Sequence, residues 1–172
     1  MNIDKVIVGI LSTNCYILEK EGEILIIDPG DNASEIEKHI NGKLIGIIIT
    51  HYHFDHVGAL NELVNKYNIK VYDINNLKEG SNKIGTFEFE MIKTPGHKSD
   101  LISLLFDNKH LFCGDFIFEG SIGRTDFPTG NMEEMQESIR KIINMDPNII
   151  IYPGHGNITT LKKEIPNLNM YI

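Results

Sequence analysis

"LIGIIITHYHFDH" occupies residues 44–56, and its two halves ask for different explanations. Leu44 to Thr50 is an isoleucine-rich apolar run, which predicts a strand covered on both faces. "THYHFDH", Thr50 to His56, then places three histidines and one aspartate within six positions. A lone His-x-His is ordinarily structural or solvent-facing. The cluster carries chemistry only if the rest of the chain sends partners to it.

Three further polar sites stand in the same relation to an apolar run. His97 follows "FEFEMIKTPG", Asp115 follows "HLFCG" and His155 follows "NIIIYPG". Strand ends along one edge of a sheet can converge on one point, with the loops supplying freedom of aim. The set is then His51, His53, Asp55, His56, His97, Asp115 and His155: five imidazoles and two carboxylates. Mixed nitrogen and oxygen donors of this kind suit zinc, iron or manganese. Seven side chains exceed what one metal needs, so two metals sharing a carboxylate is the economical reading. His39, near the end of a short predicted helix, and His110, in a predicted hairpin turn, lie outside these motifs and are expected to be inert. Cys113, in the apolar "LFC" context, is expected to be a buried small hydrophobe.

The bulk properties set the frame. The chain has 172 residues, 41% apolar and 23% charged, and reads as one soluble domain over 1–172. A formal net charge of -8 argues against nucleic-acid and anionic-membrane partners. Two cysteines make no disulfide framework and are compatible with a cytoplasmic location. The N-terminal stretch has no signal-peptide pattern, and no apolar run is long enough to span a bilayer.

Along the chain, "CYILE" and "ILIIDPG" read as strands about a turn at Lys20 to Gly22. A short helix is predicted near Ser34 to Ile40, with Asn32 and Glu35 resembling a capping box. Val57, Leu60, Leu63, Val64 and Tyr67 have helical spacing, and "FEFEMI" alternates like a half-buried strand. "LISLLF" and "HLFC" read as a hairpin, Asn131 as the cap of a helix through Met145, and "NIIIY" as a last strand. Many strands with few helices suggest a layered α+β domain.

With "THYHFDH", "TPGH", "GD" and "PGHG" in this order, the sequence resembles the metallo-β-lactamase-fold hydrolases, from "TNCYIL" and "IIDPGD" to "YPGHGNITT". The segment "GDFIFEGSIGRTDFPTGN" resembles the short glyoxalase II-like hydrolases in particular. The resemblance implies a four-layer αβ/βα sandwich with metals at one edge of the paired sheets. It assigns His51, His53 and His97 to a first metal, Asp55, His56 and His155 to a second, and Asp115 to both. Two divalent ions are implied, zinc first, with iron or manganese as alternatives. "TPGHKSD" departs from the pattern, since relatives commonly have Thr and then a small residue and Gly after "TPGH". Asp115 stands where lactamases often carry a cysteine ligand, which speaks against a lactam substrate. Only residues 156–172 follow His155, too few for the glutathione-gripping helical domain of full-length glyoxalase II.

The implied reaction is hydrolysis of an acyl-thiol, S-lactoylglutathione or another. Two metals would lower the pKa of a water from about 15.7 towards neutrality. The catalytic residues are Asp55, which also orients the nucleophile, and Asp115. Asp28 in "IIDPGD" is either a partner holding a histidine N–H or a turn residue before Pro29. Arg124, followed by Lys98, is the candidate for a substrate carboxylate, the alternative for Arg124 being a structural ion pair. A second reading comes from the persulfide dioxygenases, which share "GRTDF" and use one iron held by residues matching His51, His97 and Asp115. A third is a non-catalytic metal-binding member.

Overall fold

Strands buried on both sides dominate the chain, and they form two sheets packed face to face. A computed structural model describes residues 1–172. The first sheet contains β1 (Asn2–Val8), β2 (Thr13–Lys20), β3 (Glu23–Ile27), β4 (Lys43–Ile48) and β5 (Val71–Tyr72), in that order. The second contains β6 (Gly80–Ile84), β7 (Phe87–Lys93), β8 (Ile102–Phe106), β9 (His110–Gly114), β12 (Ile150–Pro153) and β13 (Thr159–Thr160), in the order β13-β12-β9-β8-β7-β6. A small ribbon, β10 (Ile117–Phe118) and β11 (Ser121–Ile122), follows β9.

Side-chain alternation builds the layers. Tyr16 and Leu18 of β2 join Ile48 of β4, Phe89 and Met91 of β7 and Phe112 of β9 in the core between the sheets. Their neighbours Cys15, Ile17, Ile47 and Ile49 face the other way, against Ala33 and Ile36 of α1 (Ala33–Glu37) and Leu63 of α3 (Leu60–Tyr67). On the far side, Leu111, Cys113 and Ile151 pack on Met135, Ile139 and Ile142 of α4 (Met132–Ile142) and on Leu161 and Leu168 of α5 (Leu161–Leu168). The result is the αβ/βα sandwich. It also explains why "LIGIIIT" shows no polar alternation: both faces of β4 are covered.

Four local expectations are corrected. The helix near Ser34 to Ile40 is shorter, Ala33–Glu37, and Asn32 forms no capping box. Asn32 is left-handed at φ 52, and its Oδ1 accepts instead from the Ser34 hydroxyl at 3.0 Å. The helix spanning Val57 to Tyr67 is broken into α2 (Phe54–Val57) and α3, and the helix capped by Asn131 ends at Ile142 rather than Met145. The Asn131 cap itself forms, its side chain accepting from Glu133 N–H at 2.8 Å and Glu134 N–H at 3.2 Å. No helix is long and apolar enough to cross a membrane.

The topology decides where chemistry can occur. β3 pairs parallel with β4, β4 with β5, and β9 with β12. The carboxyl ends of β3, β4, β9 and β12 therefore face one edge of the sandwich, where loops of open α/β sheets gather their ligands. Backbone bonds tie the sheets together there: Ile102 N–H to Thr50 C=O at 3.0 Å and Asn14 N–H to Gly154 C=O at 2.7 Å.

Candidate metal centre

All seven expected donors emerge at that edge. His51, His53, Asp55 and His56 follow β4, with Asp55 and His56 on α2; His97 follows β7; Asp115 follows β9; His155 follows β12. Two glycines allow the close approach. Gly114 has φ +50, and a Cβ there would lie 2.4 Å from Thr50 Oγ1. At Gly154 a Cβ would lie 2.2 Å from Asp115 Oδ1 and 2.7 Å from His56 Cε1.

The donors form two groups. One ligand atom each from His51, His53, His97 and Asp115 lies within 4.8 Å of the others, and the same holds for Asp55, His56 and His155. In the first group, His53 Nδ1 is 3.1 Å from His51 Nε2 and 2.9 Å from His97 Nε2. In the second, His155 Nε2 is 3.2 Å and His56 Nε2 3.5 Å from Asp55 Oδ2. Asp115 reaches both: its oxygens lie 3.3 Å from His56 Nε2 and 3.5 Å from the Nε2 atoms of His97 and His155.

The outward nitrogens of four of the five histidines are already committed. His97 Nδ1 donates to Arg124 C=O at 2.7 Å and His155 Nδ1 to Leu11 C=O at 3.1 Å. His56 Nδ1 lies 2.9 Å from Asp28 Oδ2. Thr50 donates its hydroxyl to Asp28 Oδ2 at 2.6 Å, so its oxygen is left to accept from His51 Nδ1 at 3.1 Å. These bonds hold the Nδ1 protons of His51, His56, His97 and His155 outward and aim their Nε2 atoms at the centre, the orientation a metal-binding histidine needs. Bare nitrogens facing one another repel unless a cation lies among them. His56 Nε2 and Asp115 Oδ1 are both buried without a hydrogen-bond partner, a costly condition unless something else binds them. The donor set and these two orphaned atoms fit divalent metal ions. Asp28 also lies near His51 and His56. Its oxygens are spent on the Thr50 N–H at 2.8 Å, the Thr50 hydroxyl and His56 Nδ1, so it orients rather than joins the donors.

Electrostatics follow from burial and mutual charge. Burial, reinforced by His56, holds His51 well below the usual histidine range. Burial and His97 lower His53 as well. For His56, burial alone would lower the pKa, but the Asp28 and Asp115 carboxylates prevail and raise it to about 10. Asp115 and Asp55 would be raised by burial, yet hydrogen bonding to His155 and the charge of His56 hold both below the ordinary carboxylate range.

The remaining expectations separate clearly. Lys98 lines the cleft above the donors, its ammonium 2.8 Å from Asp100 Oδ1. Arg124 does not line it. Its Nε and Nη2 sit on the two oxygens of Asp126 at 2.9 and 2.7 Å in an exposed ion pair, and Arg124 meets the site through its carbonyl, which accepts from His97 Nδ1. His39 lies 3.6 Å from Asp4 and His110 bonds Tyr152 at 2.9 Å, both away from the centre. Cys113 is fully buried, and burial pushes its thiol up to about 12. Sequence reasoning missed Thr13, whose hydroxyl donates to Asp55 Oδ2 at 2.9 Å, and Thr50. Thr50 had a signal, being the last polar residue of "LIGIIIT"; Thr13, forty-two positions from Asp55, had none.

Known proteins agree with this architecture. The family model described as the metallo-beta-lactamase superfamily matches residues 8–79 and 69–155. The chain is 32% identical to the probable metallo-hydrolase YqgX of Bacillus subtilis, over 94% of this chain and 95% of that one. It is 31% identical to the hydroxyacylglutathione hydrolase GloC of Haemophilus influenzae, over 95% of each. Among solved structures, the BLEG-1 B3 metallo-beta-lactamase superposes with TM-score 0.90 at 29% identity, covering 96% of this chain and 97% of that one. ETHE1 from Myxococcus xanthus gives 0.86 at 26%, covering 95% and 81%. TTHA1623 in a di-iron-bound form gives 0.84 at 28%, covering 94% and 96%. On the sandwich, the clustered donors and these matches together, the chain belongs to the metallo-beta-lactamase superfamily.

Proposed function

We propose that this metallo-hydrolase cleaves thioesters, with His51, His53 and His97 holding one divalent ion, Asp55, His56 and His155 a second, and Asp115 touching both. The carrying observation is the pair of donor groups joined through Asp115, with the Nδ1 atoms of His51, His56, His97 and His155 already bonded. Bound divalent ions supply Lewis acidity and bring the pKa of a water towards neutrality. The protein's own groups do the rest. Asp55, fixed by Thr13, keeps a carboxylate at the open side of the second group, where it can hold the attacking water in line. The water oxygen bonds to the acyl carbon, the C–S bond breaks, and sulfur leaves with the electron pair. A thiolate is a good leaving group, so no strong general acid is required, and the products are a carboxylic acid and a thiol. The hydroxyacylglutathione hydrolase relative supports this class. Zinc is the proposed metal.

The test pairs metal analysis of protein isolated without added metal with thioester turnover. About two ions per chain and hydrolysis lost on chelation are expected. Metal-replete, folded protein without hydrolysis of any thioester would overturn the proposal. A second reading, oxidation of a persulfide with a single iron, draws support from the ETHE1 neighbour. Stoichiometric oxygen uptake with glutathione persulfide, without thioester cleavage, would favour it.

A further inference from the structure

The cleft over the donors is about 540 Å³, and beside the polar donors its lining includes Leu11, Phe54, Phe127 and Pro128. Leu11 stands on one side, at the β1–β2 connection, and Phe54 opens α2 beside it. Phe127 and Pro128 form the opposite wall. Leu11 is 49% and Phe54 71% exposed, and Ile10 next to Leu11 is 92% exposed. A second hollow lined by Ile10, Leu11 and Phe54 continues this apolar surface outward from Asp55. Large apolar side chains left in water around a reactive cleft mark a place where an apolar group binds.

The two cations nearest the cleft are each paired with a carboxylate. Lys98 is bound to Asp100, whose other oxygen accepts the Tyr52 N–H at 3.1 Å, so the pair is fixed to the loop after β4. The Nε–Nη2 edge of Arg124 is paired with Asp126. Phe127 neighbours both that guanidinium and the donors. Its ring centroid lies 4.2 Å from Arg124 Cζ, and 5.8 and 6.0 Å from the His53 and His97 rings. A carboxylate of a glutathione-type carrier would compete with Asp100 for Lys98 and with Asp126 for the Arg124 Nε–Nη2 edge.

We infer that the substrate is a thioester with an apolar acyl chain that lies between Phe127 and the Leu11–Phe54 wall, rather than a carboxylate-rich glutathione conjugate. This rests on the thioester reading above, and it differs from the substrate class in the name of the Haemophilus relative.

The test uses full-length, metal-replete protein and acetyl, butyryl, hexanoyl and octanoyl thioesters of N-acetylcysteamine, compared with S-lactoylglutathione. Each added methylene that is buried should raise kcat/KM by about two- to fourfold, and hexanoyl should exceed S-lactoylglutathione at least tenfold. Phe54→Ser, and separately Leu11→Ser, should flatten the chain-length dependence with metal content unchanged. Both positions are exposed, so folding is not at stake. Non-hydrolysable S-alkyl N-acetylcysteamine thioethers, titrated calorimetrically, give a readout independent of turnover. If no thioester is cleaved but thioether affinity still rises with chain length and falls in Phe54→Ser, the hydrolase reading fails and the apolar site stands. If S-lactoylglutathione is the best substrate and chain length has no effect in either assay, the apolar-chain inference is wrong while thioester hydrolysis stands.

Discussion

Asp28 lies behind the donor atoms, and its carboxylate decides how His56 presents itself. Each oxygen accepts from Thr50, one from the N–H and one from the hydroxyl, and Oδ2 also meets His56 Nδ1. An asparagine cannot reproduce this. Either its NH₂ faces Nδ1 and drives the histidine proton onto Nε2, or it faces the Thr50 N–H, donor against donor. Asp28→Asn should weaken metal binding about 10- to 100-fold, measured by competition with a chromophoric chelator; unchanged affinity would show that Asp28 is only a turn residue. Arg124 gives a contrasting expectation. Because its Nε–Nη2 edge is paired with Asp126 and its contribution to His97 comes from the backbone, Arg124→Ala should leave KM for S-lactoylglutathione within about twofold. A several-fold rise at constant metal content would restore the carboxylate-binding role that the family resemblance suggests.

Helix α4 shows how an element far in sequence aims a donor. Asn131 caps it with its side chain and donates its own N–H to Gly96 C=O at 2.8 Å, one residue before His97. Gly96 has φ +143, and a Cβ there would lie 2.5 Å from Met135 Cα. Asn131→Ala should therefore cost about 1 kcal/mol in a urea titration with metal content intact. Gly96→Ala should instead displace the His97 loop and reduce metal content, read by elemental analysis on folded protein. Equal metal content in Gly96→Ala and the unaltered protein would mean that the loop can shift without moving His97. The two caps also mark how far local pattern carries. Asn131 and Asn32 look alike in sequence, each preceding a helix with a glutamate three residues on. Asn131 is extended and reaches its amides, whereas Asn32 is left-handed and cannot. Backbone dihedrals imposed by the loops decide between them, and composition does not show dihedrals.

Over the whole molecule, the chain's charges link metal binding to pH. His56 is raised to about 10 and His155 to about 9, the latter chiefly by hydrogen bonds to Asp115 and Asp55. At pH 7 both hold a proton that a metal ion must displace. Metal binding should release one to two protons per chain at pH 7, and affinity should fall on acidification from about pH 9 downward. Calorimetric titrations in two buffers of different ionisation heat measure the release; identical apparent heats would contradict it. Because the donors come from both sheets, bound metal also ties the sandwich together. At a free metal concentration 100 times Kd it should add about 2.7 kcal/mol to global stability.

The sequence by itself marked most of the core strands, the layered α+β class and the seven side chains that the fold gathers at one edge. Apolar runs that end in histidine or aspartate are local patterns, and a strand covered on both faces cannot hide its composition. The first strand, Asn2–Val8, and the last helix, Leu161–Leu168, drew no comparable reading, the former being polar along its outer half. Tertiary structure alone decided which outward nitrogen each histidine commits, that Thr13 steadies Asp55 across the sheet, and that Asp28 orients His56. It also decided that Arg124 turns to Asp126 while Lys98 stays at the cleft. The physical reason is common to all of these. Each depends on a hydrogen bond or ion pair whose partner is chosen by distance and angle after the chain has folded, among several residues of suitable chemistry.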